Sequence, residues 1–252
     1  MDDAEYFTWI RENNAAILAA VARDPAMPVS ACPDWIARDV LPHIAGWYEG
    51  WWRSNIACPP ERFDLMTSYQ SAPPAPEDPE DWPAAFERAA ESFLAFAEGL
   101  DLDAPTWAFE QVRPARFWLG RAATETTVHR WDLERELAIP YVLPAARAIA
   151  AIDDLLGAFL PLVGRTDSVM GFGAVPSGSL VVAPTDADAR WLASPVDGAV
   201  VVRRDADARG EATLSGPASS LVLRLAGRAT ADAVEGDATA VAEWTALLSA
   251  MP

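Results

Sequence analysis

Apolar residues recur at helical spacing through the longer first part of the chain and give way to short alternating runs near its end. Between Glu5 and Ala22 the positions Tyr6, Ile10, Ile17, Leu18 and Val21 predict a helix. The segment Cys32-Pro33-Asp34-Trp35 opens a second helix with Asp34 as its N-cap, and Ile36, Val40, Ile44, Trp47 and Trp51 form its apolar stripe. Pro42 falls inside that stripe and is expected to kink it. A Pro-rich loop runs from Pro59 to Pro79. Further helices are expected over Pro83–Leu100, Phe117–Leu137 and Pro144–Val163, with an irregular stretch ahead of Phe117.

Beyond Gly171-Phe172-Gly173 the period changes. Ser179–Ala183, Ala199–Arg203, Ala212–Leu214 and Asp232–Gly236 read as strands. One helix starts at Gly216-Pro217 and passes through Leu221 and Leu225, and a last one covers Ala238–Leu248. The change predicts two domains: an all-α four-helix bundle over residues 1–165 and a smaller α+β domain over 176–252, joined by a linker at 166–175.

Composition narrows the function classes. The formal charge is −18, so a phosphate backbone or an anionic lipid surface is repelled, and neither nucleic acid nor membrane is an expected partner. Every one of the 19 basic residues is an arginine. Without lysine there is no Schiff-base, P-loop or pyridoxal-phosphate chemistry. Cys32 and Cys58 make neither a disulfide framework nor a Cys-x-x-Cys zinc site. The acidic start is wrong for a signal peptide, and no apolar run is long enough to span a bilayer, so the expected compartment is the cytoplasm.

The candidate chemistry gathers on two helices. Glu125 and His129 are four residues apart and therefore share a face, together with Trp118, Ala122, Asp132, Leu133 and Glu136. Ala123, Thr127, Arg130 and Glu134 lie on the other side. The chain has 2 histidines, and the second, His43, stands one turn before Trp47 on the apolar side of its helix. Two imidazoles and one carboxylate suit zinc, and also nickel, cobalt or ferrous iron. Three protein ligands leave an open position, the mark of a catalytic site. Taken singly, a Glu-x-x-x-His pair is also what a helix surface produces, and an inward histidine is also an ordinary core residue.

A family resemblance bears on that choice. Val29-Ser-Ala-Cys-Pro-Asp-Trp35, Arg38-Asp-Val-Leu-Pro-His43 and Glu125-Thr-Thr-Val-His-Arg-Trp-Asp132 resemble the N-terminal domain of mycothiol-dependent maleylpyruvate isomerases, a DinB-like metal-binding bundle. Ser215-Gly-Pro-Ala-Ser-Ser-Leu-Val-Leu-Arg-Leu-Ala-Gly-Arg228 and Val234-Glu-Gly-Asp237 resemble that family's sterol-carrier-like C-terminal domain. The resemblance implies that His43, Glu125 and His129 hold the metal. It also implies that mycothiol, a low-molecular-weight thiol, is the second cofactor. Two departures stand out: Pro42, and the aromatic run Trp47-Tyr48-Glu49-Gly50-Trp51-Trp52, which suggests a pocket shaped for another substrate.

The expected protein is a metal-dependent enzyme that activates a thiol and isomerises or S-conjugates a small electrophile, acting as a monomer or homodimer. Arg121, Arg224 and Arg228 are the candidates for holding anionic groups of substrate or thiol, balancing of nearby carboxylates being the alternative. Trp47, Trp51 and Trp118 are candidates for lining the cofactor pocket, with core packing as the other reading. Asp132 and Asp39 are placed to orient the imidazoles or to make surface ion pairs. Cys32 sits ahead of a helix N-terminus, or simply packs under the Pro33 turn. A non-catalytic metal or small-ligand binding protein and a thiol-independent metal hydrolase are the alternatives. With both histidines assigned to metal there is no Ser-His-Asp triad, and Gly171-Phe-Gly173 lacks the third glycine of a dinucleotide fingerprint.

Overall fold

Asp2 starts the first helix by accepting the backbone N–H of Glu5 at 2.8 Å, which satisfies one of the free amides of the first turn. The structure is a computed structural model, which describes residues 1–62, 73–109, 111–166, 175–228 and 230–249. The chain divides into two compact units, Met1–Tyr141 and Val142–Pro252.

In the first unit, helix α1 (Asp3–Arg23) buries Phe7, Trp9, Ile10, Ile17 and Val21. It packs along α5 (Arg116–Glu136). Asn13 and Asn14 are buried too, Asn14 accepting the hydroxyl of Tyr48 at 3.0 Å. The Asn13 carboxamide lies 3.1 and 2.9 Å from the hydroxyls of Thr126 and Thr127 on α5, so this helix pair is registered by polar contacts as well as by apolar area. Helix α2 (Val40–Gly46) packs on α4 (Trp82–Glu98). Between them the chain runs on through a π-helical turn, Trp47–Trp52, into the short α3 (Arg53–Ile56).

Two expectations about α2 fail for one reason: the helix starts later than the pattern suggests. Asp34 has φ 73° and caps nothing; the carboxylate of Asp39 instead accepts the N–H of Ile36 at 2.8 Å, at the head of a 3-10 turn, Ala37–Asp39. Pro42 therefore falls in the first turn of α2, where its missing N–H has no intrahelical partner to lose. The irregularity of this helix is the π turn after Gly46, not a proline kink.

The irregular stretch before α5 contains an antiparallel hairpin, β1 (Pro105–Ala108) and β2 (Gln111–Pro114), too short and too proline-flanked to show a period. Of the Pro-rich loop, residues 63–72 lie outside the described residues.

In the second unit, α6 (Ala145–Asp154) continues through a second π turn, Leu155–Phe159, into α7 (Leu160–Val163). Then come β3 (Leu180–Pro184), β4 (Trp191–Val196), β5 (Ala199–Arg204), β6 (Ala212–Gly216), α8 (Ala218–Leu225), β7 (Val234–Gly236) and α9 (Ala238–Ser249). The sheet order is β5-β4-β3-β6-β7, with β3 and β6 parallel and the other pairs antiparallel. Strand β4 was hidden by Pro195, which sits opposite Val200 in the ladder. Asp197 and Gly198, both at positive φ, form the tight turn that joins β4 to β5.

The general plan, a helical N-terminal region and a sheet-rich C-terminal region, matches expectation. The break between them does not fall at residue 165. Helix α6 packs on α8, and its Asp153 accepts the indole N–H of Trp191 at 2.8 Å and the Nε–H of Arg204 at 2.9 Å. The helix expected to close the bundle thus belongs to the second unit. Most of the expected linker, with Gly171-Phe172-Gly173, lies outside the described residues. Among the described residues no helix is long and apolar enough to cross a membrane.

Candidate metal centre

Helices α2 and α5 bring His43, Glu125 and His129 together. One ligating atom from each lies within 4.8 Å of the other two. Glu125 Oε1 stands 3.4 Å from His129 Nε2 and 3.7 Å from His43 Nε2, so both imidazoles turn the same kind of nitrogen toward one carboxylate oxygen. His129 is buried, while His43 and Glu125 keep 28% and 26% of their side-chain surface, so solvent reaches the cluster from one side.

The other oxygen of Glu125 is taken. Arg121, one turn earlier on α5 and almost fully buried, donates from Nη2 to Oε2 at 2.6 Å. The pairing draws Arg121 to Glu125, whereas the sequence pattern suggested a holder of substrate. Burial opposes the charge on Glu125, but the neighbouring His129 and His43 imidazoles and the Arg121 guanidinium outweigh it and hold this carboxyl well below the usual range.

Behind His129 lies a fully buried carboxylate. Asp132 Oδ2 is 3.1 Å from His129 Nδ1, close but off the line of an ideal hydrogen bond. The thiol of Cys32 points at the same oxygen at 3.8 Å. Burial disfavours the imidazolium, yet Asp132, Cys32 and Glu125 together push the His129 pKa well above its ordinary value. Cys32, His129 and Asp132 form a second close group of ligand-type atoms that shares its imidazole with the first.

The remaining candidates divide. Trp47 touches the cluster: its indole N–H donates to His43 Nε2 at 3.1 Å, and its ring is edge-on to the imidazole. Trp51 and Trp118 pack edge to face against each other, buried among Phe109 and neighbouring rings. Asp39 is engaged at the backbone N–H of Ile36. Glu136 accepts the N–H of Ser30 at 3.2 Å. Arg224 and Arg228 belong to the second unit; Arg228 Nη1 donates to the carbonyl of Ala226 at 2.7 Å. Trp35 was missed. Its ring stacks on His129 with centroids 5.9 Å apart and meets His43 edge-on at 4.9 Å. The only sequence signal for it was its place in the Cys-Pro-Asp-Trp segment.

The family model of the mycothiol maleylpyruvate isomerase N-terminal domain matches residues 7–134, just over half of the chain and the whole of this cluster. The chain belongs to this family. Similarity of fold extends beyond the matched domain. The crystal structure of mycothiol-dependent maleylpyruvate isomerase superposes with a TM-score of 0.59, and that of a histidine-to-alanine mutant with 0.60. Each is 13% identical and covers 94% of this chain and 95% of that chain. At that identity the likeness shows a common fold along nearly the full length. No curated protein matches this chain.

Proposed function

We propose that this chain is a metal-dependent, thiol-using enzyme that isomerises or S-conjugates a small electrophile. The carrying observation is the spacing of the three ligand atoms. Two ligands of a tetrahedral ion, each about 2.1 Å from it, stand about 3.4 Å apart. The two separations around Glu125 Oε1, 3.4 and 3.7 Å, fit that requirement closely. The donor set of two imidazoles and one carboxylate points to zinc, with nickel, cobalt and iron as chemically acceptable substitutes.

When bound, a divalent ion at these ligands supplies the Lewis acidity that turns a coordinating thiol into a thiolate at neutral pH. Each protein group has a definable part. Arg121 occupies Oε2 of Glu125 and leaves Oε1 to face the imidazoles. Asp132, fully buried behind His129, fixes the orientation of that ring. Trp35 stacks on one face of His129 and meets His43 edge-on, which helps keep water from the buried His129. His43 and Glu125, part-exposed, mark the side from which thiol and electrophile enter.

Mycothiol is the proposed thiol on the strength of the family. Addition of the thiolate to a conjugated double bond, rotation and expulsion give cis–trans isomerisation; displacement of a leaving group gives an S-conjugate. The proposed setting is the cytoplasm, with the protein as monomer or homodimer. For Arg224 and Arg228 as holders of anionic groups, the support is the resemblance of the Ser215–Arg228 segment alone.

The test couples metal content to turnover. Purified protein should carry about one equivalent of ion, lost in His43→Ala and in His129→Ala. It should then consume a conjugated or halogenated electrophile only when mycothiol is supplied. Turnover without any thiol would replace this reading by a hydrolase. Ligand binding with no turnover at all would make the protein a carrier.

A further inference from the structure

The Nε2 of a neutral imidazole has one lone pair. In this protein two demands fall on that of His43. It accepts the indole N–H of Trp47 at 3.1 Å. It is also the nitrogen that faces Glu125 Oε1 at 3.7 Å, on the side where the three ligand atoms converge. A lone pair engaged by a hydrogen bond is not at the same time available to a cation. The bond has a second consequence: it keeps Nε2 unprotonated and the proton on Nδ1, which is the tautomer a metal ligand needs.

Trp47 is well placed to change partner. It opens the π-helical turn Trp47–Trp52, and such widened turns are frequent at functional sites. Its ring is backed by Trp52, stacked at 6.2 Å, and by Trp51, edge-on at 6.1 Å, and it is half-buried.

We infer that Trp47 is a positioning residue which exchanges hydrogen-bond partners on metal loading. In the metal-free protein its N–H holds the lone pair of His43. In the loaded protein it donates to the electron-rich atom in the open position, a thiolate sulfur or an oxygen anion. This rests on the metal centre proposed above. The exchange sets two effects of opposite sign. The Trp47 bond favours the metal-free form and weakens ion uptake, and the released N–H strengthens the hold on the thiolate. A neutral hydrogen bond corresponds to about a 2- to 10-fold change in an equilibrium, and one to a charged group to about 10- to 100-fold. A residue that merely packed would, on truncation, weaken both.

Trp47→Phe keeps an aromatic ring and removes the donor. Zinc affinity of the full chain is measured by competition with a chromophoric chelator. The affinity of the cobalt-loaded protein for 2-mercaptoethanol is then followed by the thiolate-to-cobalt absorption band. Zinc should bind about 2- to 10-fold more tightly to W47F, and the thiol more weakly, by about 10-fold or more. Both affinities unchanged, or both reduced, would overturn the role of Trp47 and leave the metal centre standing. Wild-type protein that takes up neither zinc nor cobalt would overturn the centre and the exchange together. Should W47F fail to fold, the indole N–H resonance of Trp47 in the wild type decides. It must shift on zinc addition and again on thiol addition, and a resonance that stays put overturns the exchange.

Discussion

Arg121 and Glu125 stand one turn apart on α5 and are joined by a 2.6 Å ion pair that determines which carboxylate oxygen is left to face the imidazoles. Arg121 is nearly fully buried, so solvent screens this pair little. Replacing Arg121 by Leu keeps comparable volume and frees Oε2. Glu125 then rotates, and its charge loses a buried partner. Outer partners of metal ligands typically contribute about 10- to 100-fold in metal affinity. Arg121→Leu is therefore expected to bind zinc weaker by that range while retaining the fold, measured by chelator competition beside circular dichroism. An unchanged zinc affinity would mean that Arg121 is free to serve a substrate after all.

Metal uptake should also be proton-linked, with a definite sign. His129 is held well above the ordinary histidine value in the metal-free protein, against its burial, by Asp132, Cys32 and Glu125. It therefore carries a proton near neutrality that the ion must displace. Glu125 is held low by the two imidazoles and Arg121, so it is already ionised and contributes no proton there. Affinity is expected to rise with pH by about tenfold per unit around neutrality, while His129 remains protonated in the free protein. Calorimetric titrations in buffers of different ionisation heat should show about one proton released per ion. Uptake with no buffer dependence at pH 7 would contradict a protonated His129.

The candidate ligands were legible because helical spacing is a local property. Glu125 and His129 share a face by arithmetic, and His43 shares the apolar stripe of its own helix. Trp35 was not legible, since it lies in a turn whose path is set by Asp34 at positive φ and by the late start of α2. The pairing of Arg121 with Glu125 was within reach, being four residues apart, and carboxylate balancing stood as the alternative to holding an anionic group. In the second unit, β4 was lost to Pro195, which a strand accepts where the ladder demands no N–H. The unit boundary was missed because α6 has the same amphipathic pattern whichever partner it packs against. Which partner it takes depends on Asp153, Trp191 and Arg204, far apart in sequence.

Gly236 gives a test of the second unit by itself. It pairs with Ala212 in the β6–β7 ladder at φ 133°, and a Cβ there would lie 2.2 Å from the carbonyl oxygen of Glu211. The obstacle is backbone, which cannot swing aside as a flexible side chain would. Gly236→Ala is expected to destabilise this unit by about 2 kcal/mol or more, through strain and clash together. Denaturant unfolding should show the loss. Zinc binding, whose proposed ligands lie on α2 and α5 of the other unit, should survive. A stability equal to wild type would show that β7 can detach at little cost.

Asp132 allows the orienting role of a buried carboxylate to be separated from its packing. Asp132→Asn conserves size and leaves an acceptor for His129 Nδ1, but it removes the negative charge that helps hold the imidazole proton. The substitution has two effects, and they differ in direction. With the charge gone, the His129 pKa falls, so the proton that zinc must displace is held less tightly and the pH dependence of uptake moves to lower pH. At high pH, where His129 is neutral in both proteins, the mutant ligand is the weaker base and binds the ion less well, by about 10-fold or more. The affinity curves of wild type and Asp132→Asn should therefore converge toward acid and separate toward alkali. A purely structural defect would lower affinity by the same factor at every pH. Cys32→Ser serves as the companion variant. Its side chain also faces Asp132 Oδ2, at 3.8 Å, but carries no charge in its thiol form. It should leave the alkaline limit close to wild type, and a loss there as large as in Asp132→Asn would move Cys32 from bystander to ligand.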